Sequence, residues 1–331
     1  MRMTIKGLLL ASAVLLGGAG SANAAVSGGN AYFFGDSLTD CCVFGRYTNG
    51  NAPNWADQLP PQIGASYTAT AQTNLAIGGA QSGNDNASVP LQTTYGAQTG
   101  FLPQVSRFIA QGTTVKPNDI AGIWIGTNDI WPSSYAAADT FAGGAINRPL
   151  GVQPSVSALT SYITGNIQSG INQLVADGFR NVVLLSPYDM GQSAIEPNAA
   201  AAALATQYSN ALVAAESQLY TPGVNTYFVN VESLLQQVQA NPGAYGFLHT
   251  TAVDSCAASN CTSQPLSVQN TYIFNDIIHT TSAFDQLIAN NAAAIINANQ
   301  TIPAPVPEPV SAAVVLAGLA GLGLARRRMR A

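Results

Sequence analysis

Short apolar runs that stop at glycine alternate, along the middle of this chain, with longer stretches of helical spacing. Ala31-Tyr32-Phe33-Phe34 runs into Gly35, Asn74-Leu75-Ala76-Ile77 into Gly78-Gly79, and residues 120–125 into Gly126. Residues 182–185 and 224–231 are two further runs. Continuous apolar runs of this length suit strands buried on both faces. Between them, residues 101–111 read as a helix with Leu102, Val105 and Ile109 on one face. Residues 155–177 read as a long helix with Leu159, Ile163, Ile167, Ile171, Leu174 and Val175 at helical spacing. Residues 198–220 are alanine-rich and helical, 232–239 form a short helix, and 281–298 a last one. Residues 130–153 and 242–272 are irregular and read as insertions. The alternation predicts an α/β fold: a mainly parallel five-stranded sheet with helices on both faces, a three-layer α/β/α arrangement. In such sheets ligands bind at the carboxyl ends of the strands, which is where the glycine-bounded segments fall.

The two ends read differently. Residues 1–24 have the order of a secretory signal peptide: Arg2 and Lys6, an apolar stretch, then Ala22-Asn23-Ala24 as a small-residue cleavage site. Residues 304–331 contain Val306-Pro307-Glu308-Pro309, sixteen uncharged residues (310–325), and the basic cluster Arg326-Arg327-Arg328-Met329-Arg330. An apolar stretch this short spans a bilayer only marginally as a transmembrane helix, with the arginines holding its end on the cytoplasmic side. This order resembles a PEP-CTERM sorting tail. The resemblance implies export through the inner membrane, transient anchoring by the tail, an exosortase-like processing partner, and a final place at the cell surface or in extracellular matrix. Residues 25–303 remain as one domain, large enough for a single core.

Charge narrows the partners. The 25–307 stretch holds fifteen acidic against five basic residues, a balance of −10, and a single lysine, Lys116. That argues against nucleic acid or an anionic membrane surface as the main partner. Of four cysteines, Cys256 and Cys261 lie in one polar loop and can close a local disulfide in an oxidising compartment. Cys41 and Cys42 are adjacent. They can pair with each other, cross-link to the other two, or stay reduced. Neither pair has a histidine at zinc-site spacing, so no metal site is expected.

The candidate chemistry is that of a serine nucleophile, which needs a base, a group to orient the base, and donors for an oxyanion. Ser37 follows the first apolar run in Gly35-Asp36-Ser37-Leu38, where its hydroxyl is exposed and its N–H left over at a helix start. It is not in a Gly-x-Ser-x-Gly elbow, because Thr39 stands at the second glycine position. The chain has two histidines, His249 and His279. His279 has Asp276 three residues before it, a spacing that puts both side chains on one face of a turn, whereas His249 has no such partner. An imidazole, ordinarily titrating near ~6.5, can take a proton at neutral pH, with Asp276 to hold its tautomer. Gly78-Gly79 and Gly126-Thr127-Asn128-Asp129 offer backbone and amide donors. Asp36, Asp40 and Asp129 read as loop hydrogen-bonding residues. Trp124, Trp131 and Phe44 are aromatic candidates near the site, Trp124 better suited to the core.

Taken in order, Gly-Asp-Ser-Leu, Asn-Leu-Ala-Ile-Gly-Gly-Ala, Gly-Thr-Asn-Asp and Asp-Ile-Ile-His resemble the four sequence blocks of the SGNH, or GDSL, hydrolase family, spread over residues 33–281. The resemblance implies a flavodoxin-like α/β/α fold and hydrolysis of acyl esters without metal or organic cofactor. The substrate would be a small-molecule, lipid or acylated-sugar ester. It assigns Ser37 as nucleophile, His279 as base and Asp276 as its orienting acid. The oxyanion donors it implies are the Ser37 N–H, the Gly79 N–H (by its offset from Asn74) and the Asn128 side chain. Two positions depart from the pattern: Thr280 stands where proline usually follows the histidine, and Cys41-Cys42 where Thr-Gly-Asn is common after Asp40. Two other readings stay open, a polysaccharide O-acetylesterase and a non-catalytic matrix or adhesion protein on the same fold.

Overall fold

The computed structural model describes residues 26–87, 98–130, 154–193 and 198–305. Residues 1–24, Trp131, nearly all of the 130–153 insertion and nearly all of 304–331 lie outside these residues, and with them the expected signal peptide and sorting tail. Among the described residues, no helix is long and apolar enough to cross a membrane.

Four parallel strands form the sheet: β1 (Ala31–Gly35), β2 (Ile120–Trp124), β3 (Asn181–Leu185) and β4 (Asn225–Val229), in the order β1-β2-β3-β4. Every residue of the first three strands is buried, as unbroken apolar runs require. Successive side chains on β1 point to opposite faces, and each meets a different helix. Phe34 makes edge contacts with Phe101 and Phe108 on α2 (Phe101–Ala110). Phe33 makes one with Trp55 on α1 (Trp55–Gln58). Behind α2 stand α4 (Val156–Ala176) and α5 (Ala199–Glu216), and with α1 stands α8 (Ser282–Asn297). The sheet is thus sandwiched between two helical layers. Among the described residues three further α-helices follow: α3 (Thr127–Ile130), α6 (Val231–Ala240) and α7 (Leu266–Gln269).

The sheet has four strands rather than the five expected. Residues 74–77 do run along β1: Leu75 N–H donates to Phe33 O (2.7 Å), Phe33 N–H to Thr73 O (2.8 Å) and Ile77 N–H to Gly35 O (3.1 Å). They make only one bridge, at Phe33 and Asn74. The ladder stops because a side chain takes the next donor. Gly35 N–H donates to Gln104 Oε1 (2.9 Å), and Gln104 Nε2 donates back to Gly35 O (2.8 Å). A carboxamide from α2 therefore covers this part of the sheet edge in place of a strand.

Other differences are smaller. On α2 the fully buried face is Phe101, Val105 and Phe108, with Leu102 and Ile109 only partly covered, because Phe101 and Phe108 meet the β1 aromatics. Val231 begins α6 instead of ending β4, since Asn230 caps that helix through Ser233 N–H (2.9 Å). Cys256 is bonded to Cys261, and Cys41 to Cys42.

Candidate active site

Ser37 stands just beyond the carboxyl end of β1. No helix starts there. Instead Thr39 and Asp40 N–H both return to Asp36 O (3.0 and 2.9 Å), closing a tight turn that leaves Ser37 at its crest. Asp36 is fully buried beneath it and accepts from Leu38 N–H (3.0 Å) and Asn128 Nδ2 (3.2 Å). Burial, reinforced by the neighbouring Asp129 carboxylate, pushes the Asp36 carboxyl up to about 7. Asp40 gathers the N–H groups of Cys42, Val43 and Phe44, and Gly78 N–H at 3.0 Å. It thereby ties the loop after Ser37 to the glycine turn.

His279 arrives 242 residues later and puts Nε2 2.9 Å from Ser37 Oγ. Its Nδ1 lies 2.8 Å and 3.0 Å from the two oxygens of Asp276. The loop that carries both is closed on itself: Asn275 N–H donates to His279 O (2.7 Å), and Ile278 and His279 N–H both donate to Asp276 Oδ1. Burial would raise the Asp276 carboxyl, but the bonds and charge of His279 outweigh it and leave it below its ordinary value. The Tyr188 hydroxyl anchors the loop from beneath at Ile278 O. The Tyr47 ring stacks on the imidazole, with centroids 4.6 Å apart. Thr280, at the usual proline position, donates its hydroxyl to the buried Asp285 (2.5 Å), whose carboxyl burial lifts to about 7.

The three expected oxyanion donors differ in state. Among the described residues, neither Ser37 N–H nor Gly79 N–H donates to any protein acceptor. Gly79 has φ +78°, a conformation open to glycine but strained for other residues. Asn128 is engaged on both sides, donating to Asp36 Oδ2 (3.2 Å) and Ala80 O (3.1 Å). Asn74 acts on the framework: its Nδ2 donates to Thr39 O (2.8 Å), so the glycine segment is bonded to the Ser37 turn. Asp129 accepts from the backbone and hydroxyl of Ser82. Trp124 is wholly buried in the core, and Phe44 is partly exposed. Ser37, Leu38, Tyr47, Thr48, Asn54, His279, Thr280 and Asp285 line a shallow cleft.

His249 also has a carboxylate partner, though not at the spacing of Asp276. A turn of 3-10 helix at Ala252–Asp254 folds back and puts Asp254 Oδ2 2.7 Å from His249 Nδ1. Pairing with aspartate therefore does not distinguish the two histidines. The serine does: Ser259 donates to the Asp254 carboxylate (2.9 Å), whereas Ser37 lies against the His279 imidazole. Tyr47, Asp285 and Gln104 escaped the sequence reading. Tyr47 lies in a glycine-bounded loop without periodicity, and the other two act on residues remote in the chain.

A sheet with a serine, a histidine and a carboxylate converging at its carboxyl edge defines a class of α/β hydrolytic proteins. The pattern described as GDSL-like Lipase/Acylhydrolase matches residues 32–292. The chain belongs to this family, and so is a hydrolase of ester bonds. Among solved structures it is similar to an acetylxylan esterase from Geobacillus stearothermophilus, at 16% identity and TM-score 0.43, over 82% of this chain and 96% of that one. It is also similar to a protein from Parabacteroides merdae ATCC 43184 described as a GDSL-like lipase, at 16% identity and TM-score 0.42, over 82% and 96%. No match was found among curated proteins.

Proposed function

We propose that this chain is an exported serine esterase in which Ser37 is the nucleophile, His279 the base and Asp276 the acid that orients it. The observation that carries the reading is the unbroken line from Ser37 Oγ through His279 Nε2 (2.9 Å) and Nδ1 to Asp276 Oδ2 (2.8 Å). With Nδ1–H donating to the carboxylate, Nε2 is left as the acceptor for the serine proton. Ser37 Oγ attacks the ester carbonyl as His279 takes its proton. The tetrahedral oxyanion is held by the N–H groups of Ser37 and Gly79 and by Asn128, which must release its longer bond, to Asp36, to reach it. His279 then protonates the departing alcohol, leaving an acyl ester on Ser37. Water, deprotonated by the same imidazole, cleaves that ester and returns the proton to Ser37.

Residues 25–303 would be the catalytic domain. Export by residues 1–24, with anchoring and exosortase-like processing at 304–331, would bring it to the cell surface or matrix. The expected sorting tail supports O-acetyl esters of a surface polysaccharide as the second reading. A panel of p-nitrophenyl esters of increasing chain length, with acetylated sugars beside it, tests both. Turnover of at least one ester in the panel, abolished by Ser37→Ala, is expected. Turnover indifferent to Ser37→Ala would contradict the assignment. A complete absence of turnover would return the chain to the non-catalytic matrix or adhesion reading.

A further inference from the structure

Tyr47 meets the site from three directions, and no step above uses it. Its ring lies over the His279 imidazole, centroids 4.6 Å apart and planes 29° from parallel. Its backbone carbonyl accepts a 2.9 Å hydrogen bond from Asn275 Nδ2, next to Asp276. Its far end rests on Gly78: a Cβ built there would fall 2.2 Å from the Tyr47 Oη and 2.8 Å from Cζ. Real Cβ atoms do not approach so closely, so tyrosine at 47 and a residue larger than glycine at 78 cannot share this arrangement. The two glycines of the turn thus answer different demands. Gly79 takes up φ +78°, whereas Gly78 has no positive φ and is needed for the space it leaves to the tyrosine.

We propose that Tyr47 is a positioning residue for His279: its ring, wedged between Gly78 and the imidazole, holds the base in line with Ser37 and faces the positive charge the base takes up during acyl transfer. An aromatic face attracts a cation laid over it, and more strongly where water is partly excluded. A neutral imidazole gains less from the ring than an imidazolium does, so the contact favours the transition state in which the base is protonated. The other groups around the ring act along its edges. Asp276 meets Nδ1 and Ser37 meets Nε2, Asp36 lies beneath Ser37, Tyr188 holds the backbone at Ile278, and Asp285 bonds to Thr280. Among the described residues, Tyr47 is the ring stacked on this imidazole.

The inference rests on His279 being the base, and the test separates the two. Steady-state turnover of p-nitrophenyl acetate is measured on the full chain, with Ser37→Ala as control. Tyr47→Leu is expected to lower kcat about tenfold with KM within about twofold, the size of a lost cation–ring contact and a loosened base. Tyr47→Phe keeps the ring and is expected to recover most of that loss. Gly78→Ala, which touches no reacting atom, is expected to lower kcat comparably by displacing the ring. The double variant Tyr47→Leu/Gly78→Ala should then be no worse than Tyr47→Leu alone, because both changes break one contact. A Tyr47→Leu variant with unchanged kcat, a Tyr47→Phe variant as poor as Tyr47→Leu, or losses that multiply in the double variant would overturn the proposal. Should Tyr47→Leu not fold, an unchanged kcat in Gly78→Ala overturns it equally. Turnover that depends on Ser37 but not on Tyr47 rejects the positioning role alone. Wild-type protein without turnover rejects both.

Discussion

Asn128 has two N–H groups on its side chain, and both are occupied at rest by Asp36 and Ala80. A donor fixed in this way cannot wander, which is what an oxyanion site requires, and only a small shift turns it to substrate. Asn128→Ala is therefore expected to cut kcat about 10²-fold or more, with KM little changed, in ester turnover. Glu216 presents the opposite case. It is fully buried at the end of α5, neither oxygen has a hydrogen-bond partner among the described residues, and burial holds its carboxyl well above the ordinary range. The folded state keeps a proton that the unfolded chain releases near pH 4.5. Stability from this group is thus complete below that pH and is lost as pH rises toward the folded value. The loss is at most about 1.4 kcal/mol per pH unit. Urea midpoints at several pH values should show the wild type falling relative to Glu216→Gln as pH rises above 5. Parallel curves would contradict the burial of a protonated carboxyl.

At the scale of elements, the edge of β1 depends on one side chain. Gln104 is fully buried and satisfies both backbone groups of Gly35 while donating a further bond to Thr99 O. Gln104→Leu leaves the Gly35 N–H unpaired in the interior, for an expected loss of about 1–3 kcal/mol in urea unfolding. A variant as stable as wild type would show that water or a backbone shift replaces the amide. The same residue explains what the sequence did and did not reveal here. Runs such as 120–124 and 181–185 carry their burial in their own composition, so their strands were legible. The run 74–77 is equally apolar, but its pairing is cut short by a residue on a helix nearly thirty positions away. Local pattern cannot register that competition.

For the molecule as a whole, the candidate site was legible where a candidate residue sits at the end of a strand run. Ser37, Gly79 and Asn128 each follow a short apolar run that stops at glycine, and Asp276 and His279 announce themselves by spacing. Their convergence was not legible, because it is a property of the sheet and of contacts such as the one joining residues 37 and 279. The supports were hidden for the same reason. Asp285 holds Thr280 and receives Trp55 N–H from 230 residues away, and Tyr47 joins the glycine turn to the histidine loop. The unusual threonine after His279 becomes understandable only with that buried carboxyl beside it. His249 carries the complementary lesson: an aspartate and a stacked tyrosine recur there, but its serine bonds to the carboxylate and not to the ring.

The central claim is that a single hydroxyl is activated by a single imidazole. A fluorophosphonate probe reacts with such a serine and leaves a covalent phosphonyl adduct that peptide mapping by mass spectrometry can locate. The adduct is expected on Ser37 in the wild type, absent in Ser37→Ala and strongly slowed in His279→Ala. An adduct on another residue, or labelling at wild-type rate in either variant, would contradict it.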